Sequence, residues 1–372
     1  MTEPRYGVLI ANVGTASSPE PDDIREFLRQ MLSDRYIVNV PRPVWMPILH
    51  LFILPNRPKR TASRYRSIWT EKGSPFMVTS YEQRDGLREE LARRGYDLPV
   101  ALGMRYCEPS IGSALDELAA AGCTHVIALP LFPQQANVTT VTCQSEIQRR
   151  VAERPAIELA STINYYCERP DYLQALANSI ADVWTYTPGS RILYTFHSTL
   201  VEDIERGDPY YHQTISTARG ASELLGIPED GWDVAYHSRF DNRKWLRPPA
   251  EEVLTRWAEE GVRNVAVAAP VFVADCIETL IDCNVEQRGL FLGHYAQCHP
   301  DADPASFTYV PTLGSRPDHI SVLAGAVIDR LHELESESRY GDGGSELELL
   351  DGPHCPVHNR TRRRGDRDGD KE

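Results

Sequence analysis

The sequence has no excess of positive charge, no closely paired cysteines and no long apolar run. Lys and Arg number 39 against 53 Asp and Glu, a formal net charge of −14. Proteins that bind nucleic acids neutralise phosphates with basic surfaces, so this balance argues against a nucleic-acid partner. The eight cysteines form no CxxC pair, and we expect reduced thiols. The apolar run near the N-terminus is short and lacks a basic leader, so we expect no signal peptide, no spanning helix and a cytoplasmic location.

Short apolar runs alternate with longer amphipathic segments along the 372 residues. This alternation is typical of βαβ units around a parallel sheet. The strand candidates are GVLIANVG (7–14), VALGMRY (100–106), HVIALPLF (125–132), RILYTFH (191–197), WDVAYHS (232–238), NVAVAAPVFV (264–273) and FTYVPTL (307–313).

The two halves of the chain repeat one pattern. ALDELAAAGCTHVIALPLFPQ and VLTRWAEEGVRNVAVAAPVFVAD each contain a helix ending at glycine, an apolar strand, a proline and, two residues later, a phenylalanine. The predicted fold class is therefore α/β: two similar Rossmann-like domains, each a parallel sheet flanked by helices, with a ligand cleft between them. The domains are expected at 5–150 and 151–315, with a helix at about 316–335 packed back on the first. The Gly-rich, charged residues 336–372 are expected to be a disordered tail.

The segment PRPVWMPILHLFILPNRPKR (41–60) is apolar in its middle and bounded by prolines and basic residues. It is too short and interrupted to span a bilayer. It is either an element of the core or an exposed apolar lip beside a binding site or a membrane surface. The flanking prolines and arginines favour a lip on a surface loop.

The stretch RILYTFHSTL (191–200) places a histidine at the end of a buried strand. In an open parallel α/β sheet, ligands bind at the carboxyl ends of the strands. His197 is therefore either a site residue or a core histidine with a satisfied partner.

Three acidic residues recur at intervals of four after the second repeat: Glu278, Asp282 and Glu286. Such spacing places them near one face of a helix, where like charges destabilise it slightly. A row of carboxylates suits the passage of a divalent cation, since oxygen ligands bind such ions and release them. Two alternatives remain open: Glu278 with Asp275 forms a capping box, or the row is a solvated acidic face.

The stretch ERGDPYY (205–211) is predicted to form a turn because of its Gly-Asp-Pro content. It either closes a loop or brings Asp208 into a position to orient a nearby base or a substrate.

Several motifs, taken in order along the chain, resemble those of the ferrochelatases, enzymes that insert iron into a porphyrin. They are NVGT (12–15), LSDRYIVNVPRPVWMPIL (32–49), GSPF (73–76), MRYCEPSI (104–111), LPLFPQ (129–134), FHST (196–199), RGDPY (206–210), SRF (238–240), WLRP (245–248) and ADCIETL (274–280). Each is weak alone, and together they are specific. The resemblance runs from about Tyr6 to Leu334 and implies the two-domain, chelatase-type fold.

The resemblance implies that His197 is the active-site histidine and that Glu278 faces it across the cleft, both catalytic. The implied metal-binding residues are His197, Glu278, Asp282 and Glu286. The substrate-binding candidates are Asn12, Arg66, Arg105, Tyr106, Asp208 and Trp245. Arg66 is among them because porphyrin propionates need basic partners. The 41–60 segment is implied to cover the porphyrin pocket and, as in some members, to touch the membrane.

The favoured activity is insertion of Fe²⁺ into protoporphyrin IX to make haem, because Asn12 and the apolar lip resemble members that use this porphyrin. The alternatives are coproporphyrin III as substrate, a cobalt or nickel chelatase of the same fold, and a non-catalytic porphyrin or haem carrier. Fe²⁺ is then a substrate, and no cofactor is required. The chain is expected to be a monomer or homodimer.

The chain also departs from the family pattern. Phe132 stands where many members have tyrosine, and Cys276 where many have histidine. A [2Fe–2S] cluster, which some relatives bind through a C-terminal cysteine group, is not expected, because the tail has only Cys355.

Overall fold

The structure, a computed structural model, describes residues 4–239 and 242–340. Within these ranges, eight strands form two four-stranded sheets in which every neighbouring pair is parallel. The strands are β1 (Tyr6–Asn12), β2 (Val100–Met104), β3 (His125–Pro130), β4 (Glu158–Thr162), β5 (Arg191–His197), β6 (Trp232–His237), β7 (Asn264–Ala268) and β8 (Ser306–Val310). The order is β2-β1-β3-β4 in the first sheet and β6-β5-β7-β8 in the second, so the second repeats the first.

Helices connect the strands. The α-helices in the described ranges are α1 (Pro21–Leu32), α2 (Arg42–Ile48), α3 (Leu54–Ile68), α4 (Pro75–Arg93), α5 (Ile111–Ala120), α6 (Thr142–Ala152), α7 (Pro170–Ala181), α8 (Val201–Glu205), α9 (Tyr210–Leu224), α10 (Ala250–Glu259), α11 (Arg288–Cys298) and α12 (Pro317–Tyr340). Three further segments are π-helical: Leu49–Ile53, Asn137–Val141 and Glu278–Gln287. A π-helix of ten residues is uncommon, and such distortions occur frequently at functional sites.

The predicted repeat is visible at the same point of each half. Gly122 follows α5 with a φ of +81°, and Gly261 follows α10 with a φ of +78°. Left-handed glycines of this kind end a helix and let the chain turn back toward the sheet. The next segments are the buried strands β3 and β7, so the two similar α/β domains predicted from the sequence are confirmed.

The boundary predicted at residue 150 needs correction, because β4 belongs to the first sheet. β4 pairs with β3 in parallel, so the first half extends to Thr162. This edge strand, ELAST, is only partly buried along its length. It lacks the apolar run by which central strands of parallel sheets are recognised, and the sequence prediction therefore omits it.

The C-terminal helix α12 packs against the first half. Its Ile320, Leu323 and Val327 lie in one buried cluster with Val8 and Ile10 of β1. The helix continues to Tyr340, so residues 336–340, which were predicted to belong to the tail, are helical. The remainder of that predicted tail, 341–372, lies outside the described residues.

The 41–60 segment is helical rather than the surface loop expected from its prolines. α2, the π-helical turn and the start of α3 run through it. Each α-helix has a proline in its first turn, where proline is tolerated, and a second one inside it, Pro47 in α2 and Pro58 in α3. Leu49 and Leu54 are buried, whereas Leu51 and Phe52 are each 68% exposed. The segment is thus an exposed apolar lip anchored from beneath. In residues 4–239 and 242–340, no helix is both long and apolar enough to cross a bilayer.

Candidate active site

His197 is the last residue of β5, a central strand of the second sheet, and is half-buried. Its Nδ1 lies 2.8 Å from the carbonyl oxygen of Ser198. A carbonyl oxygen can only accept a hydrogen bond, so Nδ1 carries the hydrogen, and in the neutral ring the lone pair lies on Nε2. Burial lowers the pKa of His197, while the charge of Glu278 and the Ser198 hydrogen bond oppose that shift. The site therefore holds a neutral imidazole with a defined basic atom.

Asp208 supports the His197 strand from a distance. Its carboxylate accepts hydrogen bonds from the backbone N–H groups of Tyr210 (3.0 Å) and Asn137 (2.8 Å), and burial raises its pKa. The Tyr210 hydroxyl in turn donates to the carbonyl oxygen of His197 over 2.9 Å. Asp208 thus links the two halves and positions the histidine through Tyr210, while its contact with substrate stays a prediction.

His237 is not among the site residues predicted from the sequence. It ends β6 directly beside His197 in the strand register, and the two ring centroids are 5.8 Å apart. Burial and, to a lesser degree, His197 lower the pKa of His237 to about 3. The sequence does contain a signal, since apolar strands end in FHS and YHS at these two places.

Glu278 opens the ten-residue π-helix and does not need to act as its cap. Asp275 accepts hydrogen bonds from the hydroxyls of Thr279 (3.0 Å) and Tyr309 (2.7 Å). Thr279 in turn accepts from the backbone N–H of Cys276. These contacts order the start of the helix without the Glu278 side chain, whose charge acts on His197 instead.

Asp282 and Glu286 continue from Glu278 toward the surface. Arg64 of α3 forms ion pairs with both, at 3.3 Å in the case of Glu286, so the two carboxylates face the same way. The side chain of Asp282 is 24% exposed and that of Glu286 is 58% exposed. Burial, reinforced by the charges of Glu278 and Glu286 and opposed by Arg64, raises the pKa of Asp282 to about 6. The predicted row thus runs from the buried site to solvent.

Helix α3 lines the other side of this row, which the sequence did not predict. Burial lowers the pKa of Arg57, and the charge of Glu278 opposes the shift. Tyr65 lies 3.2 Å from Thr15 of the NVGT motif and also interacts with Glu278. Burial and then Glu278 raise the pKa of the Cys276 thiol. Residues of both halves and of the lip helix therefore meet around Glu278.

Asn12 occupies in β1 the position that His197 occupies in β5, at the carboxyl end of a central strand. Its Oδ1 accepts from the backbone N–H of Val13, and its buried Nδ2 has no hydrogen-bond partner among the residues that the structure describes. Arg105 and Tyr106 both bind the carboxylate of Asp34, and Tyr106 is almost fully buried. Their polar atoms are thus engaged in the first half, and contact with substrate stays a prediction for both.

Trp245 lies beside the His197 strand, since its backbone bridges Leu200, and the guanidinium of Arg243 lies 5.9 Å from its ring centroid. Arg66 stands apart, at the end of α3, in an exposed ion pair of 2.9 Å with Glu20.

No three His, Cys, Asp or Glu side chains among residues 4–239 and 242–340 are grouped so as to hold a metal ion. The carboxylates are spaced along the helix instead. Such spacing suits a succession of weak contacts better than one closed site.

Comparison with known proteins identifies the family. A family model described as Ferrochelatase matches residues 5–331. The chain belongs to the ferrochelatase family. Ferrochelatases are lyases of haem biosynthesis that insert iron into a porphyrin, so the resemblance found in the sequence motifs is confirmed.

Curated ferrochelatases match over most of their length. The ferrochelatase of Bordetella pertussis is 39% identical over 327 residues, which cover 87% of this chain and 87% of that one. The ferrochelatase of Aeromonas hydrophila is 36% identical over 329 residues, covering 88% of this chain and 99% of the other.

Among solved structures, the sirohydrochlorin chelatase SirB from Bacillus subtilis subspecies spizizenii, in complex with cobalt, resembles this ferrochelatase family member with a TM-score of 0.50. The two are 12% identical, and the match covers 90% of this chain and 97% of the other. At this identity the likeness concerns the fold alone, and it agrees with the predicted chelatase-type architecture.

Proposed function

We propose that this chain inserts Fe²⁺ into protoporphyrin IX, with His197 as the acceptor of the pyrrole protons. The observation that carries the proposal is the hydrogen bond from Nδ1 to the Ser198 carbonyl, which leaves Nε2 as the base. Each insertion removes both pyrrole N–H protons, and a neutral imidazole held in position suits that task near neutral pH. The charge of Glu278 then stabilises the imidazolium that forms.

The acidic row offers the protons an exit. A pKa of about 6 lets Asp282 take up and release a proton near neutral pH. Glu286, exposed at the end of the row, can deliver that proton to solvent. His197 is thereby restored for the second pyrrole proton.

The same carboxylates are suited to deliver Fe²⁺, since divalent cations of this kind accept oxygen ligands. Arg64 pairs with Asp282 and Glu286, and the charge of Arg57 lies near Glu278. An iron ion that uses these carboxylates therefore exchanges places with guanidinium groups. Such exchange keeps the row close to neutral, with and without the ion.

The porphyrin is proposed to lie between the halves, under the lip. Asn12 contributes its Nδ2 donor, and Trp245, whose backbone bridges Leu200 just beyond the His197 strand, contributes an aromatic ring. The exposed apolar side chains of the lip suit vinyl edges rather than additional carboxylates. Arg66, held by an exposed and therefore weak ion pair, is free to exchange Glu20 for a propionate.

Rates of Fe²⁺ insertion into protoporphyrin IX and coproporphyrin III, measured side by side, test the proposal. We expect faster insertion into protoporphyrin IX. A faster rate with coproporphyrin III would reverse the choice of substrate. Binding without insertion of Fe²⁺ into either would indicate a porphyrin carrier, and insertion of Co²⁺ or Ni²⁺ alone would indicate another chelatase.

We further propose that the reaction uses no resident cofactor and that the lip contacts the surface of a membrane. Cys355, the cysteine in the predicted tail, lies outside the described residues. The lip combines Leu51 and Phe52, both largely exposed, with Lys59 and Arg60, the composition of an interfacial helix beside anionic lipid. A cytoplasmic location and a monomer or homodimer accord with these proposals.

A further inference from the structure

His237 is a buried imidazole held on three sides. Its Nδ1 lies 2.9 Å from Oγ1 of Thr195, and its ring stacks on Phe272 with centroids 5.8 Å apart and planes at 24°. His237 is 3% exposed and Thr195 is fully buried. The ring therefore has little freedom to rotate.

The third side of the ring faces His197. The two imidazoles meet nearly edge to face, with planes at 68°. Thr195 and His197 lie two residues apart on β5 and so point to the same face of the sheet, and His237 is the register partner of His197 on β6. The Thr195 hydroxyl of β5 thus contacts His237 diagonally on the neighbouring strand β6, and the His237 ring packs against that of His197.

The backbone links the same residues. The carbonyl of His237 accepts the N–H of Ser198 over 2.8 Å, and the carbonyl of Ser198 accepts Nδ1–H of His197. The position of β6 at His237 therefore determines where Ser198 presents the oxygen that selects the His197 tautomer.

The polar pair has a cost in stability. Nε2 of His237 is buried, and no atom of residues 4–239 and 242–340 hydrogen-bonds to it. A buried nitrogen without a partner is unfavourable, whereas Val at 195 with Leu at 237 would fill similar space without an unpaired polar group. Efficient packing of the core therefore does not require an imidazole at position 237.

We propose that Thr195 and His237 form a buried positioning pair that orients the ring of His197 for proton abstraction. The inference rests on the proposed function, because it concerns the base of that reaction. His237 acts here through its shape and its hydrogen bond, and it touches neither porphyrin nor iron.

The test separates turnover from stability in the full-length chain. The double variant Thr195→Val with His237→Leu should melt at or above the wild-type temperature. Its kcat should fall by about 10- to 100-fold, on the scale of a misplaced catalytic group, with KM for porphyrin within about threefold. His237→Phe, which keeps an aromatic ring against His197, should recover part of the lost turnover.

A second measurement does not depend on activity. Ring ¹⁵N chemical shifts of His197 in the substrate-free protein distinguish the two neutral tautomers. The wild type should show hydrogen on Nδ1, and the single variant Thr195→Val, which keeps the His237 ring but removes its hydrogen bond, should show a mixture. If Thr195→Val changes the His197 tautomer but the wild type inserts no metal, the proposed function fails, while the effect of the pair on the orientation of His197 stands.

His319 provides a matched control. It is also fully buried, its Nδ1 donates to the Gly314 carbonyl over 2.7 Å, and its Nε2 has no hydrogen-bond partner in the described part of the chain. His319→Leu should alter the melting temperature without changing kcat or the His197 shifts. The positioning pair is overturned if the double variant keeps wild-type kcat, or if Thr195→Val leaves the His197 tautomer unchanged.

Discussion

Charged substitutions in the lip should weaken membrane binding far more than they weaken folding. Leu51 and Phe52 each keep 68% of their surface exposed, so only about a third of each side chain is buried. Full burial of such a side chain is worth about 1.5–3 kcal/mol, so the buried third contributes about 0.5–1 kcal/mol. Leu51→Asp with Phe52→Asp should therefore cost roughly 1–2 kcal/mol of unfolding free energy, a fall of a few degrees in Tm for a large chain.

The exposed two thirds give the effect on binding. If they enter the lipid interface, the two side chains together contribute about 2–4 kcal/mol, or roughly 30- to 1,000-fold in affinity. Two added carboxylates also repel an anionic surface. A smaller loss is expected for porphyrin, which covers only part of the lip.

Co-sedimentation with phosphatidylcholine vesicles containing phosphatidylglycerol measures the first effect, and fluorescence titration with porphyrin in the absence of vesicles measures the second. Val183→Asp with Leu224→Asp is a matched control, since these apolar residues are 45% and 51% exposed in the other half. The control should bind vesicles and porphyrin normally. A collapse in Tm for the lip variant, with vesicle and porphyrin binding intact, would show that the lip is a structural element and refute the reasoning.

Three further changes test the site. Glu278→Gln keeps size and removes charge, so steady-state turnover should fall steeply while porphyrin affinity and Tm stay normal; a fully active variant contradicts the mechanism. His197→Ala should lower kcat by about 10²–10⁴, the range for loss of a general base. Single-turnover kinetics measures this loss, and a smaller one would contradict the role of His197 as the base. Arg64 lowers the pKa of Asp282, so Arg64→Gln should raise it above about 6. On acidification, KM for Fe²⁺ should then begin to rise at a higher pH in the variant than in the wild type. If the pH dependence of KM is the same in both, Asp282 does not bind iron.

Strands were predictable from the sequence where an apolar run ends abruptly at a polar residue. RILYTFH was expected at 191–197, and β5 spans Arg191–His197, because five buried residues end at a polar histidine. The similarity of the two sheets followed from the repeat. β4 could not be found in this way, since an edge strand with partly exposed residues has no distinctive apolar pattern.

The site was predictable only as far as local spacing and motifs extend. The motifs pointed to His197 and Glu278, and the four-residue spacing to Asp282 and Glu286. Arg64, however, lies 218 residues before Asp282 in the chain, and no local pattern indicates such a pairing. Its helix also continues from a segment whose prolines suggested a loop, although prolines in a first turn are compatible with a helix.

The duplicated fold places different side chains at equivalent strand ends. Asn12 at the end of β1 is an amide that cannot titrate, whereas His197 at the end of β5 can accept a proton, and the carboxylate row follows only the second repeat. Proton transfer and iron delivery should therefore depend on the second half, and porphyrin binding on the first half and its lip. Asn12→Ala should accordingly raise KM for porphyrin with little change in KM for Fe²⁺, and Asp282→Asn should do the reverse. If both variants alter the two KM values alike, the halves do not divide the work, and the porphyrin and the iron share one route.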